Sequence, residues 1–140
     1  MNLSNFNIAS DFIAIESNGV YYDLHNNFEF TGLSYDVLNR KVKLSWVKST
    51  GDWVAVNFPN TLDLNFSGVS LFKCKERDSG VPYTEDDCLG SLGFIHNDMV
   101  NEIEGFVSIE PSDDACHLNL SFESGFALKI AADSAKCSIS

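Results

Sequence analysis

Three adjacent carboxylates, Glu85, Asp86 and Asp87, form a tight cluster of ionisable side chains. Neighbouring carboxylates can share a cation or raise one another's pKa. Thr84 stands directly before them, so the same residues also read as a helix start. Thr84 would cap the first N–H groups, and the acids would face the positive end of the helix dipole. Nothing matches the Asp-x-Asp-x-Asn-Gly grammar of a calcium loop, so the capping role is the reading adopted. A second group, Asp113, Asp114, Cys116 and His117, carries donors suited to a metal. Zinc sites usually show pairs of closely spaced cysteines, and Cys74, Cys88, Cys116 and Cys137 show none. Strand alternation puts Cys116 on a core face with Leu118 and Leu120 and turns His117 outward; Cys74 and Cys137 also read as core thiols. A Cys–His nucleophile, Cys88 with His96 or His117, can assemble from distant positions. The chain has three histidines, but no G-x-S-x-G elbow and no glycine-rich phosphate loop. His25, in Leu24-His25-Asn26-Asn27, reads as polar turn chemistry. The expectation is a chain without catalytic residues, metal ligands or cofactor.

The distribution of charge says more. From Asp78 to Leu128 there is no lysine and no arginine, yet eleven carboxylates fall in that stretch. All nine basic side chains lie outside it, and the net charge is −11. Clustered like charge raises a local potential that attracts cations or basic partners, at the cost of self-repulsion. Nucleic acid is not an expected ligand, because duplex binding needs clustered Lys and Arg. Hydrophobic residues make up 44% of the chain, with eleven Phe, four Tyr and two Trp, so the charge decorates a folded body. At 140 residues a single domain spanning 1–140 is expected. Residues Met1 to Phe6 lack a basic n-region and an apolar core, and no run is long enough to span a bilayer. A cytoplasmic location with reduced thiols and no membrane contact is therefore expected.

The elements that must position these residues are dominated by period-two alternation. Ile13 and Ile15 precede Asn18-Gly19, a type I′ turn signal, and Val20-Tyr21-Tyr22 follow, giving a hairpin over 11–24. Asn39-Arg40 reverses the chain into Lys41–Trp46, where Val42, Leu44 and Trp46 face one way and Lys41, Lys43 and Ser45 the other. Trp53 reads as partly exposed at the next turn. Val54, Val56 and Phe58 suggest a strand that Pro59 stops, and Leu62, Leu64 and Phe66 suggest another. Gly68 marks a bulge or tight turn. Val107 and Ile109, then Cys116–Phe122 and Phe126–Ile130, complete the pattern. Leu89, Leu92 and Ile95 fall at i, i+3 and i+6 after Thr84, which predicts one short α-helix near residues 85–95, frayed by Gly90 and Gly93. The fold class is mainly β: an antiparallel β-sandwich or strongly curved sheet of roughly eight to ten short strands with that one helix.

Four stretches carry a resemblance to a known group. Tyr22-Asp23-Leu24-His25-Asn26-Asn27-Phe28, Val42-Lys43-Leu44-Ser45-Trp46, Leu64-Asn65-Phe66-Ser67-Gly68-Val69-Ser70-Leu71 and the closing Leu120–Ile130 are similar to the small acidic immunity proteins of bacterial polymorphic toxin systems. The resemblance is a pattern of short strands across about residues 20–132. It implies a non-enzymatic protein that neutralises a basic toxin, such as a nuclease, by electrostatic occlusion. Glu85, Asp86, Asp87, Glu110, Asp113 and Asp114 would then contact the partner. The alternative is a soluble β domain with a divalent-metal-binding or hydrolytic carboxylate site.

Overall fold

A computed structural model describes residues 1–96, 99, 102–103, 107–110 and 116–140. Its strands are β1 (Asn2–Leu3), β2 (Asn7–Ile8), β3 (Ala14–Ser17), β4 (Val20–Asp23), β5 (Phe28–Asp36), β6 (Lys41–Lys48) and β7 (Thr61–Ser67). They continue with β8 (Leu71–Lys75), β9 (Leu89–Ile95), β10 (Val107–Ser108), β11 (His117–Phe122), β12 (Ala127–Ala131) and β13 (Ser134–Ile139). Three sheets result, in the orders β1-β13-β7-β6-β5, β10-β9-β11-β12-β8 and β2-β3-β4. Apart from the parallel β1–β13 pair, every pairing is antiparallel. The protein is mainly β. No helix among the described residues is long and apolar enough to cross a membrane.

Local sequence explains most of these elements. Asn18 and Gly19 both take positive φ, 52° and 75°, and close the β3–β4 hairpin. Arg40, at φ 53°, closes β5 onto β6, and its guanidinium donates to the carbonyls of Gly68 and Val69. Along β6, Val42, Leu44 and Trp46 are buried while Lys41 and Lys43 are exposed, as alternation requires. Asn5 extends β1 with its side chain: its amide donates to the Cys137 carbonyl and its oxygen accepts the Cys137 N–H, both at 2.8 Å. Leu44, Trp46 and Leu64 from one five-stranded sheet share a hydrophobic core cluster with Leu92, Phe94, Leu118 and Leu120 from the other.

Three expectations need correction. Residues 85–95 form no α-helix: Tyr83–Glu85 is a 3-10 turn entered from Pro82 without a side-chain cap, and Leu89–Ile95 is a strand. An amphipathic helix would bury one stripe of this segment and would pay about 1 kcal/mol for each of Gly90 and Gly93. The strand instead buries Leu89, Leu92, Phe94 and Ile95 across both faces, which is why no alternation showed. Gly93 has a positive use there, because a Cβ at that position would lie 2.6 Å from Cβ of Val107.

The segment 53–58 is not a strand either. Turn bonds run from Val54 N–H to Gly51 and from Phe58 N–H to Ala55, and the Lys48 ammonium donates to the carbonyls of Val56 and Phe58. Cys74, expected in the core, is exposed on β8, an edge strand.

Candidate functional site

The loop between β8 and β9 carries the candidate carboxylates, and Arg77 organises it. Its Nε donates to both oxygens of Asp86, at 2.8 and 3.1 Å. Its terminal nitrogens donate to the carbonyls of Val81 and Asp78, and the guanidinium carbon sits 4.3 Å from the centre of the Tyr83 ring. The Asp78 N–H donates to the Ser124 carbonyl and the Phe30 N–H to the Asp87 carbonyl, tying the loop to the β11–β12 hairpin and to β5. An open cleft of about 750 Å³ lies against this loop. Glu76, Asp86 and Asp87 line it, with Arg77 the one cation of the lining; Phe30, Phe126 and Tyr83 supply its apolar walls.

The pKa values of the two predicted acids of the cleft move in opposite directions. The Arg77 guanidinium, aided by Ser124, holds the Asp86 carboxyl below the usual carboxylate range. Asp87 is pushed up, chiefly by burial and then by Glu29 and Asp86. Asp86 is therefore an internal partner of Arg77, whereas Asp87 is a carboxylate crowded by Glu29 and Asp86. Glu85 closes the 3-10 turn, with its N–H donating to the Pro82 carbonyl. Glu110 is exposed beyond β10, its carbonyl accepting the Ser108 hydroxyl at 2.6 Å. It does not line the cleft. Asp113 and Asp114 lie outside the described residues.

Beside the cleft the fold makes a second grouping. Asp23 accepts the N–H groups of His25 and Asn26 in an Asx-type turn, which swings His25 towards β9. His25 Nδ1 lies 2.5 Å from the Leu89 carbonyl and 3.5 Å from Cys88 Sγ. The Glu123 N–H donates to the Cys88 carbonyl, and a Glu123 oxygen stands 3.9 Å from His25 Nδ1. The β9–β11 register slips between Ser121 and Phe122, leaving Gly90 as the extra residue, and the Glu123 carboxylate lies over it. The cysteine weighed as a nucleophile thus meets His25 rather than His96 or His117. Its surroundings oppose a thiolate: burial pushes the Cys88 thiol up, and Glu123, Glu85, Asp87 and Asp23 add to the effect.

Lys129 is a further residue that the sequence did not single out. It points away from the core, opposite Asn119 and Lys73, yet it is fully buried. Its ammonium donates to the Glu102 carbonyl, and the Asn119 amide donates to that of Ile103. Burial, then Lys73, pulls its pKa down. In comparisons with known proteins, no family model matches the chain, and no match was found among curated proteins or solved structures.

Proposed function

We propose that this chain is a non-enzymatic acidic binding protein whose two five-stranded sheets form a β-sandwich, and that its ligand is a basic protein surface. The observation that carries the reading is the composition of the β8–β9 cleft: three carboxylates and one guanidinium beside the exposed ring of Tyr83. Asp86 already neutralises Arg77, which leaves Glu76 and Asp87 to meet an incoming cation. Asp87 is partly desolvated and crowded by Glu29 and Asp86, so a Lys or Arg placed there relieves repulsion already present. Tyr83 offers a rigid amphipathic ring, a residue type enriched where binding energy concentrates. In the sequence no Lys or Arg occurs from 78 to 128, so the chain from Asp78 onward through Asp86 and Asp87 supplies no cation to offset these acids.

The partner we favour is the basic active site of a toxin made by the same cell, with this chain acting as its cytoplasmic immunity protein. Carboxylates would occupy the subsites that otherwise hold phosphates. The test is to read the neighbouring coding sequences for a toxin-like domain, whose absence would count against this partner, and to co-express any such domain with this chain. Growth arrest should be relieved by the native chain and return when Glu76, Glu85, Asp87 and Glu110 are replaced by their amides. Undiminished rescue by the amide variant, with unchanged affinity for the toxin domain, would refute occlusion by this face.

A further inference from the structure

We propose that His25, Cys88 and Glu123 form a binding site for a divalent, thiolate-seeking metal ion of the zinc class, with one coordination position left to solvent. The three offer ligand atoms that all lie within 4.8 Å of one another. A tetrahedral zinc with bonds of about 2.3 Å to sulfur and 2.0 Å to nitrogen holds those two atoms roughly 3.5 Å apart. The Cys88 Sγ to His25 Nδ1 distance is 3.5 Å, and Glu123, at 3.9 Å from the same nitrogen, closes by a small rotation of an exposed side chain.

The donor set selects the ion. Thiolate and imidazole favour zinc, cobalt and their neighbours over magnesium or calcium, which need several oxygen ligands. Charge agrees, because Glu85, Asp87 and Asp23 surround the thiol with negative potential that a cation offsets. Each ligand comes from a separate element fixed by backbone bonding: the Asx turn after β4, the entry to β9, and the β11–β12 hairpin. His25 Nδ1–H donates to the Leu89 carbonyl. Coordination through Nδ1 moves that proton to Nε2 and breaks this bond, while the Cys88 thiol loses its proton to solvent. One proton leaves for each ion bound.

The test uses the full chain, reduced and metal-free. Titrated Co²⁺ should produce a thiolate-to-cobalt charge-transfer band that saturates at one ion per chain, and Zn²⁺ should displace it and raise the melting temperature. Mg²⁺ should do neither. Cys88→Ser should abolish the band, whereas Cys74→Ser, which removes the exposed thiol of β8, should retain it. Glu123→Gln changes an exposed side chain, so it should fold normally and weaken Co²⁺ binding about tenfold or more. The site is refuted if no band forms with native protein, if the band survives Cys88→Ser, or if Glu123→Gln binds Co²⁺ as tightly as the native chain.

Discussion

Cys137 sits buried on β13, and its desolvation, with a smaller contribution from Asp63, pushes the thiol from 9.0 up to about 11. A folded-state pKa above the unfolded one means that the fold favours the protonated thiol. Its contribution is therefore complete below pH 9.0 and is lost as pH rises through about 11. That separation is worth on the order of 2 kcal/mol. Urea midpoints measured across this window should fall more steeply for the native chain than for Cys137→Ala, which starts lower because of the cavity but lacks this alkaline limb. Parallel curves would show that the thiol does not titrate as argued. Cys137 was readable as a core residue because Ala135 and Cys137 alternate with Lys136 on a half-buried strand. The meeting of His25 with Cys88 was not readable. It depends on an Asx turn and a strand register that join residues 63 positions apart, and such a contact leaves no local signature in the chain.

At the scale of elements, β6 and β9 show when a strand can be recognised from its sequence. β6 has one wet face, so Lys41 and Lys43 alternate with Val42 and Leu44 and the period is visible. β9 is covered on both faces, which erases the alternation and leaves a spacing that a helix would share. Its glycines then looked like helix breakers, whereas Gly93 admits the side chains of Val107 and Phe12. This gives a direct test. Gly93→Ala should destabilise the protein by about 1–3 kcal/mol through overpacking, because Cβ of Val107 would lie only 2.6 Å away. Gly80→Ala, where an added methyl meets nothing within 4 Å, should stay within about 0.5 kcal/mol of the native chain. Adding Val107→Ala to Gly93→Ala should recover part of the loss, a coupling that thermal denaturation of the native chain, the two single variants and the double variant can measure. A Gly93→Ala protein as stable as the Gly80→Ala control would remove this account of the glycine.

Across the whole molecule, the first five-stranded sheet sets opposite signs side by side, as at Lys43 and Asp63, whereas the second gathers its basic charge at one edge. Lys73 and Lys75 on β8 and Lys129 on β12 gather at one edge of the second five-stranded sheet, with Lys129 directly opposite Lys73. The other strands of that sheet, β9, β10 and β11, carry no Lys, Arg, Asp or Glu, so its only strand-borne charge of either sign is this basic edge. Like charges placed opposite each other cost stability; the lowered pKa of Lys129 comes first from burial, with a smaller contribution from Lys73. An arrangement chosen only for solubility would mix the signs and avoid that cost. If the segregation serves binding, position should matter as well as total charge. A lysine-rich peptide should bind the native chain at low ionic strength and dissociate as the screening length shrinks from about 10 Å at 0.1 M salt to about 3 Å at 1 M. Replacing Glu76 and Glu85 by glutamine should weaken this binding more than Glu16→Gln with Asp52→Asn, which removes the same charge from other exposed turns and strands. Calorimetric titration of the two double variants at matched salt decides the point. Equal losses would mean that the peptide responds to net charge alone, and the β8–β9 face would have no claim as the docking surface.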